Sequence, residues 1–268
     1  MSDPTPAALF KSGDLEAALA KATADVKAKP TDPGPRSMLG MLLLASGDLE
    51  RADKMFDAVS NLRPESAVWS GVQRGLIRGE TARREVFGDG RPPKLMADPS
   101  DAIKLRLEAL LSLREGDEAA AAAKLEQANE ASLTVHAAAS CERVGDCSGE
   151  RFRDMDDLLG QTLEIVTASG EYYWIEPSSL ASITFSPPET IVDVLYRPAT
   201  MLGVDGQEGA VYLPTVYAGS EDPACRMAQA TKWVGETVVR GRGQREFVIG
   251  EEPRAALEID SLTFGKGE

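Results

Sequence analysis

An α+β chain is predicted, with an all-α repeat domain followed by a β-rich domain, and three observations predict it. The first is a period. Gly13-Asp14-Leu15-Glu16 returns 34 residues later as Gly47-Asp48-Leu49-Glu50, and Pro30 returns at the same interval as Pro64. The second is the stretch from Pro33 to Pro64. There Leu39, Gly40, Leu43, the pair Gly47-Asp48, Ala52, Phe56 and Val59 follow the spacing of a tetratricopeptide unit, two antiparallel helices in about 34 residues. The third is a change of composition near Gly145-Asp146-Cys147-Ser148-Gly149, where Ala-rich helical spacing gives way to β-branched and aromatic runs broken by Gly and Pro. Two domains follow, a tetratricopeptide-like domain over 1–145 and a β-rich domain over 150–268.

Residues 7 to 29 read as a helical hairpin, with Leu15, Ala18, Leu19, Ala22 and Val26 forming an apolar stripe on its second helix. In the next hairpin Gly40 and Ala52 mark the closest helix contact, and Leu39, Leu43 and Phe56 fill the seam. Gly47 supplies a positive φ and Asp48 caps the following helix. Residues 65 to 87 are predicted helical with the repeat pattern fading. Gly88 to Pro93 is a loop of turn residues. Asp101–Arg114 and Asp117–Ala131 form another hairpin, and a short helix is expected over Ser132–Arg143. Beyond it, Thr162–Thr167 and Glu171–Ile175 around Ser169-Gly170 read as a β-hairpin. Further strands are expected at Ser182–Phe185, Ile191–Tyr196, Gly209–Leu213, Glu246–Ile249 and Leu257–Asp260, with a short helix over Arg226–Trp233.

A net charge of −14 argues against binding to a nucleic-acid backbone, which needs clustered cations. No run approaches the ~20 apolar residues of a transmembrane helix, and MSDPTPAALF lacks the basic and apolar regions of a secretory signal. Three cysteines give no disulfide framework. A cytoplasmic protein is the expectation.

The chemistry-bearing residues are few. The one histidine, His136, has no neighbouring acid to orient it for nucleophilic catalysis. Cys141 and Cys147, downstream of it, lack the short spacing of a structural zinc site, and inert thiols are expected. Asp154, Asp156 and Asp157 lack the Gly and distal Glu of a calcium loop and suit the first turn of a helix. Gly241-Arg242-Gly243 begins like a dinucleotide fingerprint but lacks the third Gly and precedes a strand-like run. Arg240, Arg242 and Arg245 form the one cationic cluster, which points to a local ion-pair set or an anionic protein partner. No P-loop and no GxSxG nucleophile elbow is present. No catalytic residue, cofactor or metal site is predicted.

The C-terminal half carries an ordered series: Phe152-x-Asp154-Met-Asp156-Asp157-Leu158, Tyr172-Tyr173-Trp174-Ile175 and Val211-Tyr212-Leu213-Pro214-x-x-Tyr217. Thr231-Lys232-Trp233, Arg240-Gly-x-Gly-Gln-Arg245-x-Phe247 and Ile259-Asp260-x-Leu262-Thr263-Phe264 complete it. In this order, behind helical repeats, the series resembles the ImpE family, also called TagJ, accessory components of bacterial type VI secretion. The resemblance implies a non-enzymatic cytoplasmic factor. It implies a contact with the N-terminal helix of the small contractile-sheath subunit and, through it, a link to the ATPase that recycles the sheath.

Tetratricopeptide stacks offer a concave face lined by the first helix of each repeat, which suits an amphipathic helix. That register nominates Met41 and Leu44 in the clear repeat and Arg106, Leu110 and Leu113 in the later hairpin as partner-binding residues. The same apolar residues can equally be core, or be covered by the β domain. Two other functions stay open: a peptide-binding adaptor unrelated to secretion, and a hydrolase whose perturbed acids around Asp154 to Asp157 converge with Arg245 on a pocket between the domains.

Overall fold

The structure is a computed structural model that describes residues 3–266. The helical part runs α1 (Pro6–Lys11), α2 (Leu15–Ala28), α3 (Pro33–Ser46), α4 (Leu49–Leu62), α5 (Ala67–Gly88), α6 (Asp101–Arg114) and α7 (Glu118–Ala131). Three of the helix starts share one device. Gly13, Gly47 and Gly116 hold positive φ, and the aspartate after each accepts a backbone N–H three residues on, from Ala17, Arg51 and Ala120. Each such cap contributes about 1 kcal/mol. Between α3 and α4 a Cβ on Gly40 would lie 2.9 Å from the Phe56 ring, so the glycine sets how closely the helices approach. Arg74 then ties α5 to α4 through Asp53 and Asp57, both at 2.7 Å.

The β part runs β1 (Val135–Ser140), β2 (Cys147–Gly149), β3 (Phe152–Asp154), β4 (Leu163–Val166), β5 (Tyr172–Ile175) and β6 (Leu180–Phe185). Then come α8 (Ile191–Leu195), β7 (Tyr196–Gly203), β8 (Glu208–Pro214), α9 (Pro223–Arg226), β9 (Thr231–Val234), β10 (Arg240–Gly243), β11 (Glu246–Ile249), β12 (Glu252–Ala255) and β13 (Ser261–Lys266). Eight strands form one antiparallel sheet, β2-β1-β13-β6-β7-β8-β4-β5. Smaller sheets, β12-β11-β3 and β10-β9, accompany it. The stacked rings of Phe152 and Phe247, 5.3 Å apart, sit in a core with Ile183, Met201, Leu213 and Leu262.

Four segments differ from the sequence expectation. Residues 132–143 hold strand β1 instead of a helix: Val135, Ala137 and Ala139 alternate inward, and β1 pairs with β13 on one side and β2 on the other. Ile191–Leu195 is a helical turn instead of a strand, closed by a capping box between Thr190 and Asp193. Over Arg226–Trp233 the helix is only the end of α9, and Thr231 already belongs to β9. Leu257–Asp260 is a turn, because the buried Arg197 draws in the carbonyls of Ala256 at 2.8 Å and Ile259 at 2.6 Å; the strand begins at Ser261.

The two parts share a core. Along β4, Leu163 and Ile165 face the β-domain core, while Val166 joins the helical one, so the strand is buried on both faces. Helix α5 covers that second face, and at 22 residues it outruns the 14-residue repeat helices before it. Gly75 and Gly79, one turn apart, are the points of closest approach. A Cβ on Gly75 would stand 1.9 Å from the Ala168 carbonyl oxygen, and one on Gly79 would stand 2.2 Å from Val166. The edge of β5 is partly capped by Lys94, whose backbone bonds to Tyr172 and Trp174 at 3.0 Å each.

Candidate functional site

Where α5 meets the sheet, a buried polar network forms. Glu164 on β4 is fully buried between two guanidiniums. Arg83 of α5 donates to it through Nε at 2.7 Å and Nη2 at 3.0 Å, and Arg245 and the Tyr172 hydroxyl donate from the other sides. Burial pushes the Glu164 carboxyl up, but Arg83 and Arg245 outweigh it and hold the group well below the usual carboxylate range. Arg245 also faces Asp154 at 3.3 Å, and the Tyr217 hydroxyl donates to Asp154 at 2.8 Å. Burial dominates at Asp154 and pushes it up to about 7 against the pull of Arg245, with Asp156 adding to the rise. Asp156 binds Arg240 through both oxygens at 2.8 Å and accepts the backbone N–H groups of Gly241, Leu158 and Leu159.

Thus the acids expected in a first helical turn end strand β3 and form the tight turn after it. The cationic cluster is an ion-pair set for Arg240 and Arg245. The Gly241-Arg242-Gly243 run also has a structural reason. A Cβ on Gly241 would meet the Tyr217 ring at 2.3 Å, and Gly243, at φ +90, would meet the Ala230 carbonyl oxygen at 1.8 Å.

Asp154 has a pH signature. Its folded pKa, about 7, lies above the unfolded ~3.9. The folded state therefore holds the extra proton between those values, and this contribution to stability is lost as pH rises through that window. Glu164 has the opposite sign, with its loss confined to pH below its unfolded value near ~4.3. Between pH 5 and 7.5 the wild type should accordingly lose about 2 kcal/mol relative to Asp154→Asn. Urea denaturation of both proteins at the two pH values checks this, and a pH-independent difference would refute it.

Above this network opens a cleft of about 480 Å³ between the helical and β parts. Its walls come from the C-terminal end of α3, the second half of α5, α8, the 216–221 loop, α9 and β10. Five arginines line it: Arg83, Arg84, Arg226, Arg240 and Arg242. The Phe87 ring lies between two of them, 5.8 Å from the Arg83 guanidinium and 5.5 Å from that of Arg240. Glu80 accepts from Arg84 at 3.0 Å and from the Tyr196 hydroxyl at 2.7 Å. At the end of α3, where a helix dipole favours cations, Arg84 donates to the Gly47 carbonyl at 3.2 Å and Arg226 to that of Ser46.

The residues nominated for partner binding are not brought together. Leu44 is buried but reaches the cleft wall. Met41 and Leu113 are half-buried against the helical core. Leu110 is core, and Arg106 is 1% exposed, donating to the carbonyls of Asp157 and Leu158 and to Asn129. Arg106 therefore anchors the 157–160 turn of the β part to α6. Asp154 and Arg245 do converge, as a hydrolase would require, but both are fully buried and neither lines the cleft. Sequence reasoning passed over Glu80, Arg83, Arg84, Glu164 and Arg226. A lone carboxylate in the apolar strand Leu163-Glu164-Ile165-Val166 was a signal that a buried cation must meet it.

Comparisons agree with this architecture. Residues 9–75 match the tetratricopeptide repeat model, and residues 146–263 match the model described as ImpE protein. The chain is 29% identical over 259 residues to the type VI secretion system accessory component TagJ of Pseudomonas aeruginosa, covering 96% of this chain and 89% of that protein. A crystal structure of protein VPA1032 from Vibrio parahaemolyticus superposes with a TM-score of 0.89 at 24% identity, covering 98% of both chains, which shows a shared fold. No helix among the described residues is long and apolar enough to cross a membrane. With helical repeats, a β domain that matches the ImpE model and a likeness to TagJ that runs nearly end to end, this chain is similar throughout to the ImpE/TagJ accessory components of type VI secretion.

Proposed function

We propose that this protein is a non-enzymatic cytoplasmic adaptor of a type VI secretion system. It binds the N-terminal helix of the small contractile-sheath subunit and thereby connects the sheath to the ATPase that recycles it. The observation that carries the reading is the likeness to TagJ over 96% of the chain, repeats and β domain together. The shape supports it: a stack of helical hairpins ends in a cleft with both apolar and cationic walls, suited to a helix laid in a groove. Leu44, named from the repeat register, is the one nominated residue at that wall, and Phe87 and Val216 extend its apolar surface.

Co-expression with the small sheath subunit from the same organism tests the reading. The two should co-elute on size exclusion, and deletion of the subunit's first helix should abolish co-elution. Retention of the complex without that helix would refute the helix-docking mode.

A further inference from the structure

The arginines of the cleft are unequally answered. In a chain of net charge −14, five guanidiniums gather at one cavity of about 480 Å³. Arg83 pairs with Glu164 and Glu80, Arg84 with Glu80, and Arg240 with Asp156. Arg226 and Arg242 have no carboxylate within salt-bridge distance among the described residues. Arg226 donates to the carbonyls of Ser46 and Ser220, and Arg242 to that of Gly241 at 2.8 Å. A carbonyl satisfies a hydrogen bond but carries only partial charge, so even at the end of α3 the guanidinium keeps part of its positive charge unanswered. Both side chains are half-buried, where an opposite charge counts for more than in water. Burial first, and then the neighbouring Arg240, disfavours the charged form of Arg242 and outweighs the opposing pull of Asp156 and of Glu221 at the cleft wall, so an arriving anion is favourable there. Guanidinium groups match carboxylates with paired hydrogen bonds, and Phe87 and Val216 offer apolar surface between the cations.

We propose that the cleft receives an acidic stretch of the partner's docking helix, with carboxylate side chains taken by Arg226 and Arg242 and an apolar side chain seated against Phe87 and Val216. This rests on the adaptor reading above and adds the chemistry of the docking segment. A helix bearing acidic residues one turn apart and an apolar residue between them fits the cleft. A basic helix does not.

The test measures affinity of the purified small sheath subunit by calorimetry, against wild type, Arg242→Glu, Arg242→Lys and Arg226→Gln. The Arg242 head bonds only its neighbour's carbonyl, so thermal unfolding of its variants should match wild type. Val68→Glu, at a residue 82% exposed and outside the cleft, serves as control. Arg242→Glu should weaken binding at least ~10-fold and Arg226→Gln several-fold, Arg242→Lys should retain most of the affinity, and Val68→Glu should leave it unchanged. A peptide of the subunit's first helix with its Asp and Glu changed to Asn and Gln should lose affinity to match, and raising NaCl from about 50 to about 500 mM should weaken the wild-type complex.

Binding that is indifferent to Arg242→Glu and to salt overturns this inference while leaving the adaptor reading intact. Absence of binding to the wild type overturns both. Saturation by inorganic phosphate at low millimolar concentration, or self-association lost in Arg242→Glu, reassigns the cleft to a small anion or to a second copy of this chain and overturns the inference as well.

Discussion

Glu164→Gln is expected to cost about 3–5 kcal/mol, because it leaves two buried guanidiniums facing each other without the charge that separates them. Glu164 accepts from Arg83, Arg245 and Tyr172 at once, with both arginine side chains almost wholly excluded from solvent. The amide keeps the size of the side chain but removes its charge. It also turns one acceptor into a donor that must point at an arginine or at the Tyr172 hydroxyl. Arg245 is enclosed by Asp154 and Tyr217, and Arg83, at the cleft wall but 3% exposed, is held by Glu164 and the Val216 carbonyl, so neither is readily rehydrated. For a domain with the usual 5–15 kcal/mol of net stability this is a large fraction. Guanidinium denaturation reads it directly, and a loss below about 1 kcal/mol would show that the network does not hold the two parts together.

The second large effect lies on the same interface but is steric. Gly75→Ala should cost about 2–3 kcal/mol, and Gly79→Ala a similar amount. In exposed helix, replacing Gly by Ala gains about 1 kcal/mol, so the sign of the change is diagnostic. The Gly75 methyl group would overlap the Ala168 carbonyl oxygen, which is backbone and sits in the tight turn between β4 and β5. The Gly79 methyl would overlap the Val166 side chain, which is fully buried. Relief requires lifting α5 off the sheet, which also stretches the Arg83–Glu164 pair one turn on. The double variant should therefore depart from the sum of the singles, as neighbouring sites on one rigid interface do. Stabilisation by either alanine, read by thermal unfolding, would contradict the packing described.

The helical part was legible because its signals are local. Gly-Asp pairs before α2, α4 and α7 mark the turns, and small residues at Gly40 and Ala52 mark the helix contact. The β part was legible where strands alternate strongly, as in Glu171–Ile175. It was misread where tertiary context decides. In Val135–Ser140 the alanines suggest helix. They are small because β1 lies in the eight-stranded sheet with its inward side chains against the Phe152 and Phe247 core. In Ile191–Leu195 the β-branched residues suggest strand, while the Thr190–Asp193 capping box carried the correct signal. The ionic cleft was only half legible. The arginines near the C-terminus stood out, but their partners Asp154, Asp156 and Glu164 lie far upstream on β3, the turn after it and β4, and only the fold brings them together. Arg106 looked like part of a binding face because helical spacing shows which side of a helix is special, and not what covers it.

The most direct test of the adaptor account is a calorimetric titration of this protein with a synthetic peptide spanning the first helix of the small sheath subunit, at two or more temperatures. The account predicts saturable binding near one peptide per chain, with a negative heat-capacity change from apolar burial. No heat at any temperature, with the protein shown to be folded by circular dichroism, would contradict helix docking on this chain.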